Sequence, residues 1–224
     1  MIELFKSCSV AISSYLVNNE IESVYLPDDI CDSLIEKLKH HNIKYNFYSI
    51  KRGWGDFDHY DFDGIPKNEL IIVSDLFNFR NINVYELKNR KIALDLAHCS
   101  IETAKYYLEL FKGDWDNISF LCISMGKGKY YRFGGGGLLI ENDGYNHIDS
   151  ICFESVNYSD PGLNGNFELR TNSSSTRMVL SADEISESEV QEMRSKGFSI
   201  SDGLYNHIKG NSAKEYYLWK VDKR

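Results

Sequence analysis

The apolar positions of this chain run in two rhythms up to about residue 140. Residues 9–18 read as a short amphipathic helix, and "ESVYLP" reads as a short strand ended by Pro27. "PDDICDSLIEKLKHHNI" predicts a helix with Pro27 and two acids at its start and a stripe of Ile30, Leu34, Ile35 and Leu38. "KYNFYSI" alternates as a strand. "KRGWGDFDHYDFDGIPKN" is polar, aromatic and glycine-punctuated, and reads as a loop. Two buried strands follow, "ELIIVSD" and "KIALDLAHC", with "NVYELKNR" between them as a short helix. "SIETAKYYLELFKG" predicts a helix capped by Ser100 and stopped by Gly113. The β-branched and aromatic run 118–123 is a strand, and the run from Leu138 to Ile140 is another.

Strands and helices that alternate in this way predict an α/β fold of three layers, a mostly parallel sheet with helices on both faces. Ligands of such sheets bind at the carboxyl ends of the strands, where Asp75, Asp95 and Ser124 fall. Composition shifts after about residue 155. The stretch "NYSDPGLNGNFELRTNSSS" is polar and loop-like, and "TRMVLSA", "SESEVQEMRSKG" and "FSISDG" read as strand, helix and strand. The expectation is a large domain over 1–155 and a reduced β-α-β appendage over 156–224.

Charge and cysteine usage narrow the function classes. The 224 residues carry 25 Lys and Arg against 33 Asp and Glu, a net charge of −8, which argues against nucleic acid or an anionic membrane as partner. No apolar run approaches the roughly 20 residues that span a bilayer. The first residues are too polar after position 12 for a secretory signal. Five scattered cysteines without CxxC spacing argue against a zinc site, so no metal is expected, and they fit reduced thiols in a cytoplasmic protein.

The chemistry concentrates in "SFLCISMGKGKYYRFGGGGLLI", residues 119–140. By pattern alone this is either a glycine-rich hairpin with solvated lysines or a turn that presents a lysine to a ligand. It lacks the glycine spacing of a nucleotide-binding loop. Ser124 stands five residues before Lys129, "GGGG" begins five residues after it, and "ALDLAHC" places Asp95, Ala97 and His98 at the end of a strand. This set resembles the DegT/DnrJ/EryC1/StrS family of pyridoxal phosphate (PLP) dependent sugar aminotransferases, in a shortened form. In that family a serine precedes the Schiff-base lysine by five residues, a G-x-G-G turn follows, and the aspartate lies in a D-x-A-[HQ] motif. "SCSVAI" lies where the family has a phosphate-binding turn, with Cys8 in place of its glycine. The likeness covers roughly residues 5–140.

The resemblance implies a fold type I large domain. It implies Lys129 as the residue that holds PLP, with Lys127 as a solvated group or a phosphate contact. It implies Asp95 at the ring nitrogen, Ala97 against the ring face, His98 near the ring oxygen, and Ser9 and Ser124 at the phosphate. Phe77 is placed near the cofactor or in the core. The implied activity is amino transfer to a nucleotide-linked keto sugar from an amino-acid donor, for surface polysaccharide synthesis, in a homodimer with shared sites. Trp54, Phe57 and Tyr60 would form the borrowed wall, or else lie as scattered aromatics in a solvent loop. Arg170 and Arg177 are either contacts for an anionic group or solvated surface arginines. The alternative is a non-catalytic relative kept as a binding or regulatory partner.

Overall fold

The computed structural model describes residues 1–53, 56–75, 80–112, 115–125, 136–150, 169–172, 175–181, 188, 191, 195 and 215–221. The chain divides into two compact units, Met1–Gly53 with Phe57–Tyr158, and Trp54–Asp56 with Ser159–Arg224.

The first unit is built on a seven-stranded sheet. Its strands are β1 (Ile2–Phe5), β2 (Ser23–Pro27), β3 (Lys44–Tyr48), β6 (Ile71–Ser74), β7 (Ile92–Leu96), β8 (Ile118–Ser124) and β9 (Gly137–Ile140), in the spatial order β1-β9-β8-β7-β6-β2-β3. The five from β3 to β8 run parallel. β9 is antiparallel to both β8 and β1, so β1 runs with the parallel set.

Alternate strand residues feed two cores, because side chains of a strand point to opposite faces in turn. Val24, Leu26, Ile72, Ala93, Phe120 and Cys122 meet Ala11, Ile12 and Leu16 of α1 (Cys8–Asn18) and Leu34, Ile35 and Leu38 of α2 (Asp32–His40). Ile71, Val73, Leu94, Leu96, Leu121 and Ile123 meet Ile101, Ala104, Tyr107 and Leu108 of α3 (Ile101–Leu110). Each fully buried leucine or isoleucine contributes about 2 kcal/mol. The expected three-layer, mostly parallel arrangement is therefore present, with its helices on both faces.

Several local readings change. Pro27 closes β2, and α2 begins only at Asp32 with Cys31 as its N-cap, because Asp28 and Asp29 form the turn between them. Asp32 in the first turn and Lys37, Lys39 and His40 in the last suit the helix dipole. The segment read as a helix over 83–90 is a series of turns. The segment read as a loop over 51–68 contains a two-residue pairing of β4 (Ile50–Lys51) with β5 (His59–Tyr60). β1 was not foreseen: it is a short edge strand whose Ile2 and Leu4 are exposed.

The second unit contains an antiparallel sheet of β10 (Leu169–Asn172), β11 (Ser175–Ser181) and β12 (Glu215–Val221). β11 covers the expected strand 176–182, and Ser188, Gln191 and Ser195 are helical within the expected helix. The expected strand 198–203 lies outside the described residues. β10 falls in the segment read as loop, where "LRTN" offers little apolar signal, and β12 was also not foreseen.

One contact ties helix to sheet. A Cβ added at Gly137 would collide with the backbone nitrogen of Cys8 and the backbone carbon of Ser7, so the N-terminal turn of α1 rests directly on β9. Gly137→Ala is expected to destabilise the fold by about 2 kcal/mol or more, since backbone on both sides resists movement. Urea denaturation checks this; a wild-type midpoint for the variant would show that the turn can shift without loss.

Candidate functional site at the carboxyl edge

The parallel order directs the N-termini of α1, α2 and α3 to the carboxyl edge of the sheet, each helix following a strand of the parallel set. Ser7 caps α1, its hydroxyl oxygen accepting from the Val10 N–H at 3.2 Å. Ser100 caps α3 by accepting from the Thr103 N–H at 3.3 Å, which leaves Asp95 out of that role.

Asp95, the last residue but one of β7, is buried, and its Oδ1 accepts from the Ala97 N–H at 3.0 Å. That bond folds the carboxylate over the turn that carries Ala97 and His98, both half-buried. Asp95 pairs with Cys122 on β8, and Ser124 lies two residues further along at the end of that strand, buried and paired with Gly137. Strand alternation puts Ser74, Asp95, Cys122 and Ser124 on the face covered by α1 and α2. The same face receives the α1 N-terminal turn through Gly137. Asp95, Ser124 and the Ser7–Ser9 turn are thus brought together.

Cys8, which stands where the resembled family has glycine, is buried against the core. Burial, the neighbouring Cys8 thiol and the Asp95 charge push the Cys122 thiol well above its ordinary range. The side chain that replaces the glycine is therefore taken up by packing between α1 and β8. Ser9 lies one residue further into α1, its hydroxyl 2.8 Å from that of Ser33 on α2, with either atom able to donate. Lys127, Lys129, Phe77 and Trp54 lie outside the described residues.

The turn after β8 needs glycine for a second reason. Gly136 has φ of +127°, a conformation L side chains rarely adopt, and its carbonyl accepts from the Met125 N–H at 2.9 Å. Among the aromatics expected at an interface, Phe57 is 42% exposed, whereas Tyr60 is buried. Tyr60 stacks on Phe62 with ring centroids 5.1 Å apart, and its hydroxyl oxygen accepts from the Asn83 N–H, so packing within the unit accounts for it. Arg170 and Arg177 are direct register partners across β10 and β11.

Sequence reasoning missed a buried ionic cluster at the same edge. Arg52 donates from Nε and Nη2 to the two oxygens of Asp29, both at 2.8 Å, and from Nη1 to Asp58 Oδ2 at 2.7 Å. It also donates to the Ser74 carbonyl at 2.6 Å and the Ser74 hydroxyl at 2.7 Å. Burial disfavours the charge on Arg52, but the neighbouring carboxylates of Asp29 and Asp58 outweigh it and hold the guanidinium firmly charged. The only sequence signal is the spacing by two of Asp58, Tyr60 and Phe62, which marks one inward face in a segment that otherwise reads as loop.

Asp75, one residue past β6, is fully buried toward α3. Its Oδ2 accepts from the Tyr107 hydroxyl at 2.5 Å and from the Arg80 N–H at 2.9 Å. Burial pushes its carboxyl up from the ordinary 3.8 to about 6, against the pull of those two donors.

No protein-family model matches the chain, and no curated protein matches it. Solved structures do. A Streptococcus pneumoniae protein provisionally named a sugar aminotransferase, in its PLP form, is 16% identical with a TM-score of 0.44; the match covers 66% of this chain and 45% of that one. A histidinol-phosphate aminotransferase from Clostridium acetobutylicum is 17% identical with a TM-score of 0.42, covering 66% of this chain and 48% of that one. A PLP-bound C-S lyase from Staphylococcus hominis is 10% identical with a TM-score of 0.44, covering 66% and 43%. The match spans less than half the length of each of these structures. Among the described residues, no helix is long and apolar enough to cross a membrane.

The raised Asp75 carboxyl has a consequence for stability. The native state binds this proton more tightly than the unfolded chain, so the stabilisation is complete below about pH 4 and is lost as pH rises through about 6. Asp75→Asn keeps an oxygen that can accept from Tyr107 and Arg80 while removing the buried charge. Relative to wild type, the variant is expected to gain up to about 2 kcal/mol at pH 7.5 and to lose that advantage at pH 4. Urea denaturation at both pH values reads this; an equal loss of stability at both would show that the ionised carboxylate carries no penalty.

Proposed function

We propose that this chain is a PLP-dependent aminotransferase acting on a nucleotide-linked keto sugar, with surface polysaccharide synthesis as its setting. The observation that carries the reading is the convergence of the buried Asp95 carboxylate, Ser124 and the N-terminal turn of α1 on one face at the carboxyl edge. It supports the resemblance in the sequence, which supplies Lys129. Residues 1–155 would form the cofactor domain and 156–224 a reduced small domain.

The donor set fits the cofactor. A buried carboxylate favours a protonated pyridine nitrogen, and hydroxyls beside a helix N-terminus favour a phosphate. Bound PLP supplies an electron-withdrawing ring that lets a proton leave the donor carbon. Asp95 would hold the proton at the ring nitrogen, oriented by the Ala97 N–H. Ala97 is small enough to lie against a ring, His98 would hydrogen-bond at the ring oxygen, and Ser9 and Ser124 would bind phosphate. Phe77 would border the cofactor. Lys129 would hold the cofactor and then carry the proton between the donor carbon and the cofactor. A homodimer with sites at the subunit boundary would bring the neighbouring chain's groups to the site, where they would exclude water. The second reading is a non-catalytic relative kept as a binding or regulatory partner, supported by Cys8 standing where the resembled family has glycine.

Reconstitution with PLP is expected to give a visible absorbance band that changes on adding an amino donor such as glutamate. Borohydride is expected to fix the cofactor on Lys129; a label on Lys127, or none, would sink the assignment. Asp95→Asn is expected to retain some cofactor and lose several powers of ten in turnover, because a neutral amide does not hold the ring proton. Near-normal turnover in that variant would assign Asp95 another role. Sedimentation equilibrium is expected to find a dimer; a monomer that binds PLP would refute the shared site.

A further inference from the structure

The cluster around Arg52 is built from segments that all reach the carboxyl edge. Asp29 follows β2, Arg52 follows β4, Asp58 precedes β5, and Ser74 ends β6. Asp58 is in turn held by the Gly53 N–H at 2.8 Å and by the Asn81 side-chain amide at 2.7 Å. Arg52 and Asp58 have side-chain exposures of 7% and 0%. A buried ionic cluster of this kind gives no stability advantage over apolar packing, because the desolvation of the charges offsets their attraction. What it supplies is direction. A planar guanidinium with five fixed donors can set the positions of several acceptors at once, which an ammonium or an apolar side chain cannot.

The acceptor that matters is Ser74. It takes two of the Arg52 bonds, at its carbonyl and at its hydroxyl. In the β6–β7 register it is the direct partner of Asp95, and the next residue along, Asp75, donates its N–H to the Asp95 carbonyl at 3.3 Å. One ladder step therefore separates Arg52's grip from the backbone of Asp95.

We propose that Arg52 is a positioning residue for the carboxyl-edge site, holding the end of β6 in the register that fixes Asp95. The claim about register stands on the geometry alone; the claim about the site rests on the aminotransferase reading. Arg52→Lys in the full chain separates the two, since lysine keeps the buried positive charge and loses the fork. Amide hydrogen exchange reads the register: the Asp75 N–H is expected to exchange about tenfold faster than in wild type, while the Leu139 N–H on β9 is unchanged. The PLP chromophore reads the site: the cofactor's dissociation constant is expected to rise about tenfold and the pH midpoint of its absorbance to shift. If Arg52→Lys does not fold, Asp58→Asn, which keeps the Arg52–Asp29 fork, is expected to move both readouts in the same direction by less. A folded variant with wild-type exchange at Asp75 overturns the proposal. So does accelerated exchange with an unchanged chromophore, which would reduce Arg52 to a structural role. Wild-type protein that binds no PLP removes the aminotransferase reading, and the exchange at Asp75 then decides the register claim by itself.

Discussion

The packing of the α1 N-terminal turn onto Gly137 is the constraint on which the site depends. Only the absence of a side chain there allows the backbone of Ser7 and Cys8 to touch β9. The contact fixes how far α1 descends onto the sheet, and so where Cys8 meets Cys122 and where Ser9 meets Ser33. Because β9 also pairs with Ser124 through Gly137, one glycine sets the spacing between a helix N-terminus and the strand end that carries a proposed phosphate ligand. Close packing makes such a contact intolerant of small changes.

The two aspartates of this edge lie on opposite faces of the sheet. On the α1/α2 face, Asp95 is oriented by its own turn, while Arg52, beyond the end of β6, is matched by Asp29 and Asp58. On the α3 face, Asp75 has hydrogen bonds from Tyr107 and Arg80 and carries the raised carboxyl that burial imposes. The two aspartates are neighbours through the backbone bond from Asp75 N–H to Asp95 O. Adjacent strand ends thus place two carboxylates in environments that differ in partners, with the sheet as the wall between them.

What was legible in the sequence is what local physics controls. The apolar runs of β6, β7 and β8 are buried on both faces, and such runs announce central parallel strands. Ser100 caps α3 because its own hydroxyl does so, with no distant partner needed. Asp95 and Ser124 were expected at or near the ends of such strands and lie there, whereas the roles given to them come from the family resemblance. Pro27 misled because the residue fits the close of a strand as well as the opening of a helix. Arg52 was not legible, since its burial is set by Asp29, Asp58 and Ser74, whose convergence follows only from the sheet order. Cys8 looked like a side chain intruding on a ligand turn, and its actual surroundings depend on Cys122, more than a hundred positions away.

The antiparallel β9 between β8 and β1 sets the order in which the molecule can come together. Ile2 pairs with Ile140, so the first strand has no partner until nearly the whole first unit has been synthesised. Until then Ile2 and Leu4 belong to an unpaired segment, and α1 lacks the strand against which its first turn rests. Contacts of such sequence separation slow folding and lengthen the exposure of sticky edges. On the ribosome, β2, β3, β6 and β7 can form a parallel nucleus early, and the helix turn beside Ser124 is the last part of the edge to be put in place. Residues 2–5 thus become structural only when β9, the last strand of this sheet in chain order, is available to pair with them.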